Sequence, residues 1–139
     1  MKSPKSQPRL DLTQEVETHL ELVTDPAHVG ERTVMVVVCD KDAMPLLHMV
    51  VTGVDESMTT SECADTLSRL FDRLRSVGDA DNLQVLLCLT RPGPNAIQDS
   101  DRAWFRALHR VCTHRGLTAL GVYLVRRHGV RGIQLDDVA

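Results

Sequence analysis

Aromatic side chains are nearly missing. One Trp, one Tyr and two Phe make up 3% of 139 residues. A core must therefore be built from Val, Leu, Met and Ala, and the scarcity argues against an aromatic stacking platform for single-stranded nucleic acid. No run approaches the ~20 apolar residues that a membrane span needs. Close cysteine pairs are also lacking. Cys39, Cys63, Cys88 and Cys112 stand one per apolar segment, which leaves no CxxC-type zinc or redox motif and too little cysteine for a secreted disulfide scaffold. They read as four reduced core thiols. Met1 to Pro8 carries two Lys with no apolar stretch behind them, unlike a secretory leader. The expectation is one cytoplasmic domain with no membrane partner. The chain also lacks a charge excess large enough to draw it to DNA: its formal net charge is -3.

What is present is uneven. Residues 1–78 hold 8 basic and 13 acidic side chains, whereas residues 79–139 hold 8 basic and 6 acidic, every basic one an Arg. Apolar content of 42% and charged content of 25% are ordinary for a globular domain, and the length suits one core.

Residues 1–9 combine Pro, Ser and Lys without periodicity and predict a flexible tail. Residues 10–23 admit two readings. Val16, Leu20 and Val23 fit a helical face, while HLELV alternates like a strand; a short helix is favoured. Asp25 to Arg32, with Pro26 and Gly30, reads as a loop and completes an N-terminal segment of 10–32. The core then starts at Thr33 with TVMVVVC, a β-branched run of strand length typical of a strand buried on both faces. Asp40-Lys41-Asp42 turns the chain into PLLHMVVT, so a hairpin ending at Gly53 is predicted. Thr59 and Glu62 form a capping-box pattern before Cys63, Leu67, Leu70, Phe71, Leu74 and Val77, spaced as one helical face, with Gly78 as its stop.

LQVLLCLT at 83–90 predicts a third buried strand, and Arg91-Pro92-Gly93-Pro94-Asn95 breaks both kinds of ladder. Asp99 is the expected N-cap of a second helix, with Trp104, Phe105, Leu108, Val111 and Cys112 inward and Gly116 ending it. Strands at 119–125 and 130–135 follow, joined by Arg126-Arg127-His128-Gly129, and residues 136–139 read as a tail. The order β-β-α-β-α-β-β over residues 33–135 predicts a single three-layer-like α/β domain. It has a mixed central sheet of about five strands and two main helices.

Several of these features together resemble the RadC family of JAB/MPN domains. Cys39-Asp40-Lys41 is similar to that family's LD-x-K turn, and the second strand ends in a glycine as the family's does. The strand running into Leu89-Thr90-Arg91-Pro92-Gly93 stands where the family carries His-x-His-Pro-Ser-Gly. Gly116-Leu117-Thr118-Ala119-Leu120-Gly121 resembles its entry to the last strands. The cytidine-deaminase fold, which opens with a similar element order, stays open as an alternative. The resemblance implies a zinc held by two His and one Asp, with a Glu as base, because such hydrolysis needs a metal-activated water. Carried over, the two His positions fall on Leu89 and Arg91, the proline on Pro92, the Ser on Asp99 and the Asp ligand on Arg102. Shifted by one, the last two fall on Ser100 and Ala103. The Glu position falls near His48. Leu has no donor atom and Arg repels a cation, so the resemblance is to a degenerate member with no catalytic residue, metal or cofactor. The deaminase pattern of His-x-Glu with Pro-Cys-x-x-Cys is absent too.

Two functions remain open. One is a non-catalytic module acting on a protein partner or on itself as a homo-oligomer. The other is a nucleic-acid- or nucleotide-binding accessory using an Arg face. Arg102, Arg106 and Arg110 are four apart on the second helix, with Arg91 before it, and such a set could hold an anion; a solvated helix face is the plainer reading. Arg126, Arg127, His128 and Arg131 extend that patch only if their turn lies beside the helix. His48 is expected on the opposite strand face from Leu47 and Met49, as a hydrogen-bonded core histidine. Trp104 is expected in the core.

Overall fold

The computed structural model describes residues 9, 13–23, 31–76, 82–94, 96–126 and 129–138. The expected stop at Gly78, the central turn residues Arg127 and His128, and the 1–8 tail lie outside them.

The element order is α1 (Thr13–Val23), β1 (Thr33–Cys39), β2 (Pro45–Val51), α2 (Thr60–Asp72), a 3-10 turn (Arg73–Ser76), β3 (Gln84–Thr90), α3 (Asp99–Arg115), β4 (Thr118–Arg126), β5 (Gly129–Gly132) and α4 (Leu135–Val138). One five-stranded sheet runs β2-β1-β3-β4-β5. Only β3 and β4 are parallel; the other three pairings are antiparallel. The expected α/β domain with a mixed sheet is therefore present.

Alternation across β1 divides the interior into two layers. Val34, Val36 and Val38 point to the side covered by α2 and α3, where they meet Leu67, Phe71, Trp104 and Leu108. Met35, Val37 and Cys39 point to the other side, where Val16 and Leu20 of α1 close over them with Leu86, Cys88 and Val125. This explains why all seven residues of β1 are buried. It also settles residues 13–23 as a helix: an amphipathic turn set gives the second face of the sheet its cover, which a further strand could not.

Local chemistry fixes the helix ends. Glu62 N–H donates to Thr59 Oγ1 at 3.2 Å and Thr59 N–H donates to Glu62 Oε1 at 2.9 Å, the predicted capping box. Gly116 ends α3 in the left-handed conformation at φ 72°, a position that favours glycine. Three expectations need correction. Gln98, not Asp99, is the N-cap of α3, and Asp99 is its first helical residue. Residues 136–139 are not simply a tail, because Leu135–Val138 form a helical turn that presses Val138 into the core. Leu70 is only half-buried, since the inward face of α2 is centred on Cys63, Ala64, Leu67 and Phe71.

Leu67 is fully enclosed. Leu67→Ala is expected to lower the unfolding free energy by about 2–5 kcal/mol in urea denaturation, with Leu70→Ala costing clearly less.

Candidate functional site

β3 ends at Thr90, and the next residue turns inward: Arg91 is 1% exposed. A guanidinium keeps its charge and carries five N–H donors, so its burial requires five acceptors. All five are present. Nε donates to Asp101 Oδ1 at 2.9 Å and Nη2 to Asp101 Oδ2 at 2.8 Å, a bidentate pair. Nη1 donates to the carbonyls of Pro92 at 3.1 Å and Pro94 at 2.8 Å, and Nη2 to that of Ala96 at 2.8 Å. Asp101, in the first turn of α3, also accepts the Gln98 amide at 2.9 Å. From outside, Arg126 at the end of β4 donates to the carbonyls of Arg91 and Gly93. The loop between β3 and α3 is thus wrapped around one cation and clasped by a second.

The zinc that the resemblance would imply does not fit this place. Leu89 is buried in the sheet without a donor atom, and the space beyond it holds a guanidinium whose donors are all engaged. Pro92 and Asp99 are exposed, and Asp99 pairs with Arg102 at 2.9 Å. Among the described residues, no group of three or more His, Cys, Asp or Glu could hold a metal ion.

The expected anion site is not assembled as such. Arg91 lies inside rather than at a mouth. Arg102 is half-buried beside Asp99, and Arg106 donates to the Val138 carbonyl at 2.7 Å. Arg110 is exposed on the next turn. Arg126, the last residue of β4, does reach the 91–94 loop.

A small cleft opens next to the Arg91–Asp101 pair, lined by Arg32, Thr33, Thr90, Ser100 and Trp104 among others, with room for about one water. Arg32 Nη1 donates to Ser100 Oγ at 3.0 Å. Thr90 Oγ1 donates to the Glu31 carbonyl at 3.1 Å, so in its close contact with Thr33 Oγ1 it is the acceptor. Among the described residues no imidazole lines the cleft, and its carboxylate is already committed to Arg91. Those residues offer hydrogen bonds but no nucleophile with a free base beside it. The cysteines offer none either. All four are buried and none is in a disulfide, and burial pushes the thiols of Cys39, Cys63 and Cys112 up to about 12, which keeps them protonated.

The second polar cluster lies on the α1 side of the sheet. His48 stands opposite Val37 in the register, away from Leu47 and Met49 as expected. It is an exposed strand position rather than a core histidine, because β2 is the sheet edge and α1 covers it only in part. His48 Nε2 faces His19 Nε2 of α1 at 2.9 Å. Desolvation holds both imidazoles below their ordinary pKa, and for His19 the neighbouring His48 charge adds to this. Sequence reading had no signal for His19, because the helix itself was ambiguous. It also missed Asp101, which falls between the two motif registers, and Arg32, placed in a loop.

Two outcomes follow. Arg91→Met strands a buried carboxylate and should cost about 3–5 kcal/mol in chemical denaturation. Arg91→Lys should recover little of this, since an ammonium cannot make the fork. For the histidines, an unfolded imidazole titrates near 6.5 and the folded ones below it. As pH falls, the unfolded chain therefore binds protons first. Stability should be whole above about 6.5 and decline below it, and a urea midpoint followed against pH should flatten in His48→Gln.

No protein-family model, curated protein or solved structure matches the chain.

Proposed function

We propose that this chain is a non-catalytic module of the RadC-like JAB/MPN kind, acting through protein contacts made at edge strand β2. The observation that carries this is the solvent side of that strand. Leu46 and Val50 are 53% and 52% exposed, and Pro45–Val51 contains no formal charge. Natural sheets guard their edges with charge, proline, bulges or cover; β2 has Pro45 and an irregular register only at its start, and beyond them a charge-free run exposing Leu46, His48 and Val50, a form open to completion by another chain.

The non-catalytic reading is supported by the hub: a fixed guanidinium stands where hydrolysis would need metal ligands, and among the described residues the adjoining cleft has no unengaged base. The order of elements over 33–135, with a single loop between β3 and α3 at that hub, agrees with the resemblance. The nucleic-acid reading has less behind it. Of the four arginines it relied on, Arg91 is sealed and Arg102 and Arg106 are engaged within the protein. No helix among the described residues is long and apolar enough to cross a membrane.

The test is a photo-crosslinking amino acid at position 46, compared in cells with the same group at Thr113, an exposed position on α3. The position-46 probe should trap a discrete protein adduct, either a second copy or another chain, and the Thr113 probe should not. Equal silence at both positions rejects the reading, as does salt-sensitive DNA binding lost on removing Arg110.

A further inference from the structure

The His19–His48 pair lies on the same side of β2 as Leu46 and Val50, and the proposed contact function gives it no role. It joins two elements far apart in sequence, α1 and β2. We propose that these two imidazoles form a binding site for a divalent transition ion such as zinc or nickel, their Nε2 atoms supplying two ligands and water the rest.

The geometry carries this. The ring centroids are 5.1 Å apart with planes tilted by 33°. With metal–nitrogen bonds of about 2.0–2.1 Å, two imidazoles on one tetrahedral ion have centroids roughly 5.2 Å apart. The rings already hold that spacing. Their nitrogens, 2.9 Å apart and sharing one proton, need only small rotations to aim at a common point beside the line between them. The donor imidazole then carries its proton on Nδ1 instead of Nε2, so both Nε2 lone pairs are available without loss of a proton. Lowered pKa values keep both rings neutral, as ligation requires. His48 lies on the exposed side of the edge strand, which leaves the other coordination positions open to water. Two nitrogen donors with no carboxylate between them select transition ions over calcium or magnesium. The site is unrelated to the Arg91 hub, which lies at the β3–α3 junction.

A metal here ties α1 to the sheet, so its binding stabilises the folded chain by mass action. The experiment titrates zinc chloride into the full-length protein near neutral pH, with magnesium as control, following thermal unfolding and the imidazole C–H resonances. The chain has six histidines. The proposal expects the signals of His19 and His48 to move, the melting temperature to rise with zinc, and magnesium to do neither. His19→Gln and His48→Gln should each weaken zinc binding by roughly tenfold or more, the loss of one of two nitrogen ligands. The wild-type resonances decide the matter even if a variant folds poorly. Zinc that moves no imidazole, or only imidazoles other than these two, overturns the assignment. So does undiminished binding by His48→Gln.

Discussion

The guanidinium of Arg91 sits almost wholly buried at the end of a strand, and a charge in that position costs several kcal/mol unless every donor is met. Five acceptors meet it, and their sources define the neighbourhood. Asp101 has to stand in the first turn of α3, which fixes how that helix starts. Three carbonyls between residues 92 and 96 have to face inward, which fixes the path of a loop that two prolines and a glycine already keep out of regular structure. Gln98 then caps the helix because the same carboxylate takes its amide. Arg126 closes the arrangement by reading the outer carbonyls, so β4 is held to the loop as well as to β3. The order at this end of the sheet follows from placing one cation inside.

Much of the architecture was legible beforehand because it rests on periodicity and caps. The β-branched run of β1 could only be a strand with both faces covered, and the Thr59–Glu62 box and Gly116 mark helix ends that the structure keeps. The ambiguous element was α1. Its apolar residues are few, and what decides between helix and strand is the open face of a sheet assembled from residues that come later in the chain. The terminal turn at Leu135–Val138 was illegible for a similar reason: four residues have no helical signal of their own, and Val138 is held by the core and by Arg106.

The site was less legible than the fold. The sequence shows an arginine directly after a buried strand and several acidic residues downstream, but not which of Asp99 and Asp101 it meets. About half a turn of helix separates a solvated ion pair from a buried one, and the choice depends on the entry angle of α3. Reading Arg91 as part of an exposed cationic row followed from counting charges along the chain. Its burial could be found only by asking where a lone charge goes when the loop around it has free carbonyls. His19 and His48 are 29 residues apart, and nothing short of the packing of α1 on β2 brings them together.

The strand order β2-β1-β3-β4-β5 has a consequence for synthesis. β1 is central in space but early in the chain, and 44 residues lie between its end at Cys39 and the start of its second neighbour, β3, at Gln84. While the chain is being translated, the β1–β2 hairpin exists before β3, α2 or α3 can cover it, and an isolated hairpin is marginal in water. Closing so long a loop slows the step that hides these valines. Until α2 and α3 have been made, the valines of β1 that they cover have nothing to pack against on that face.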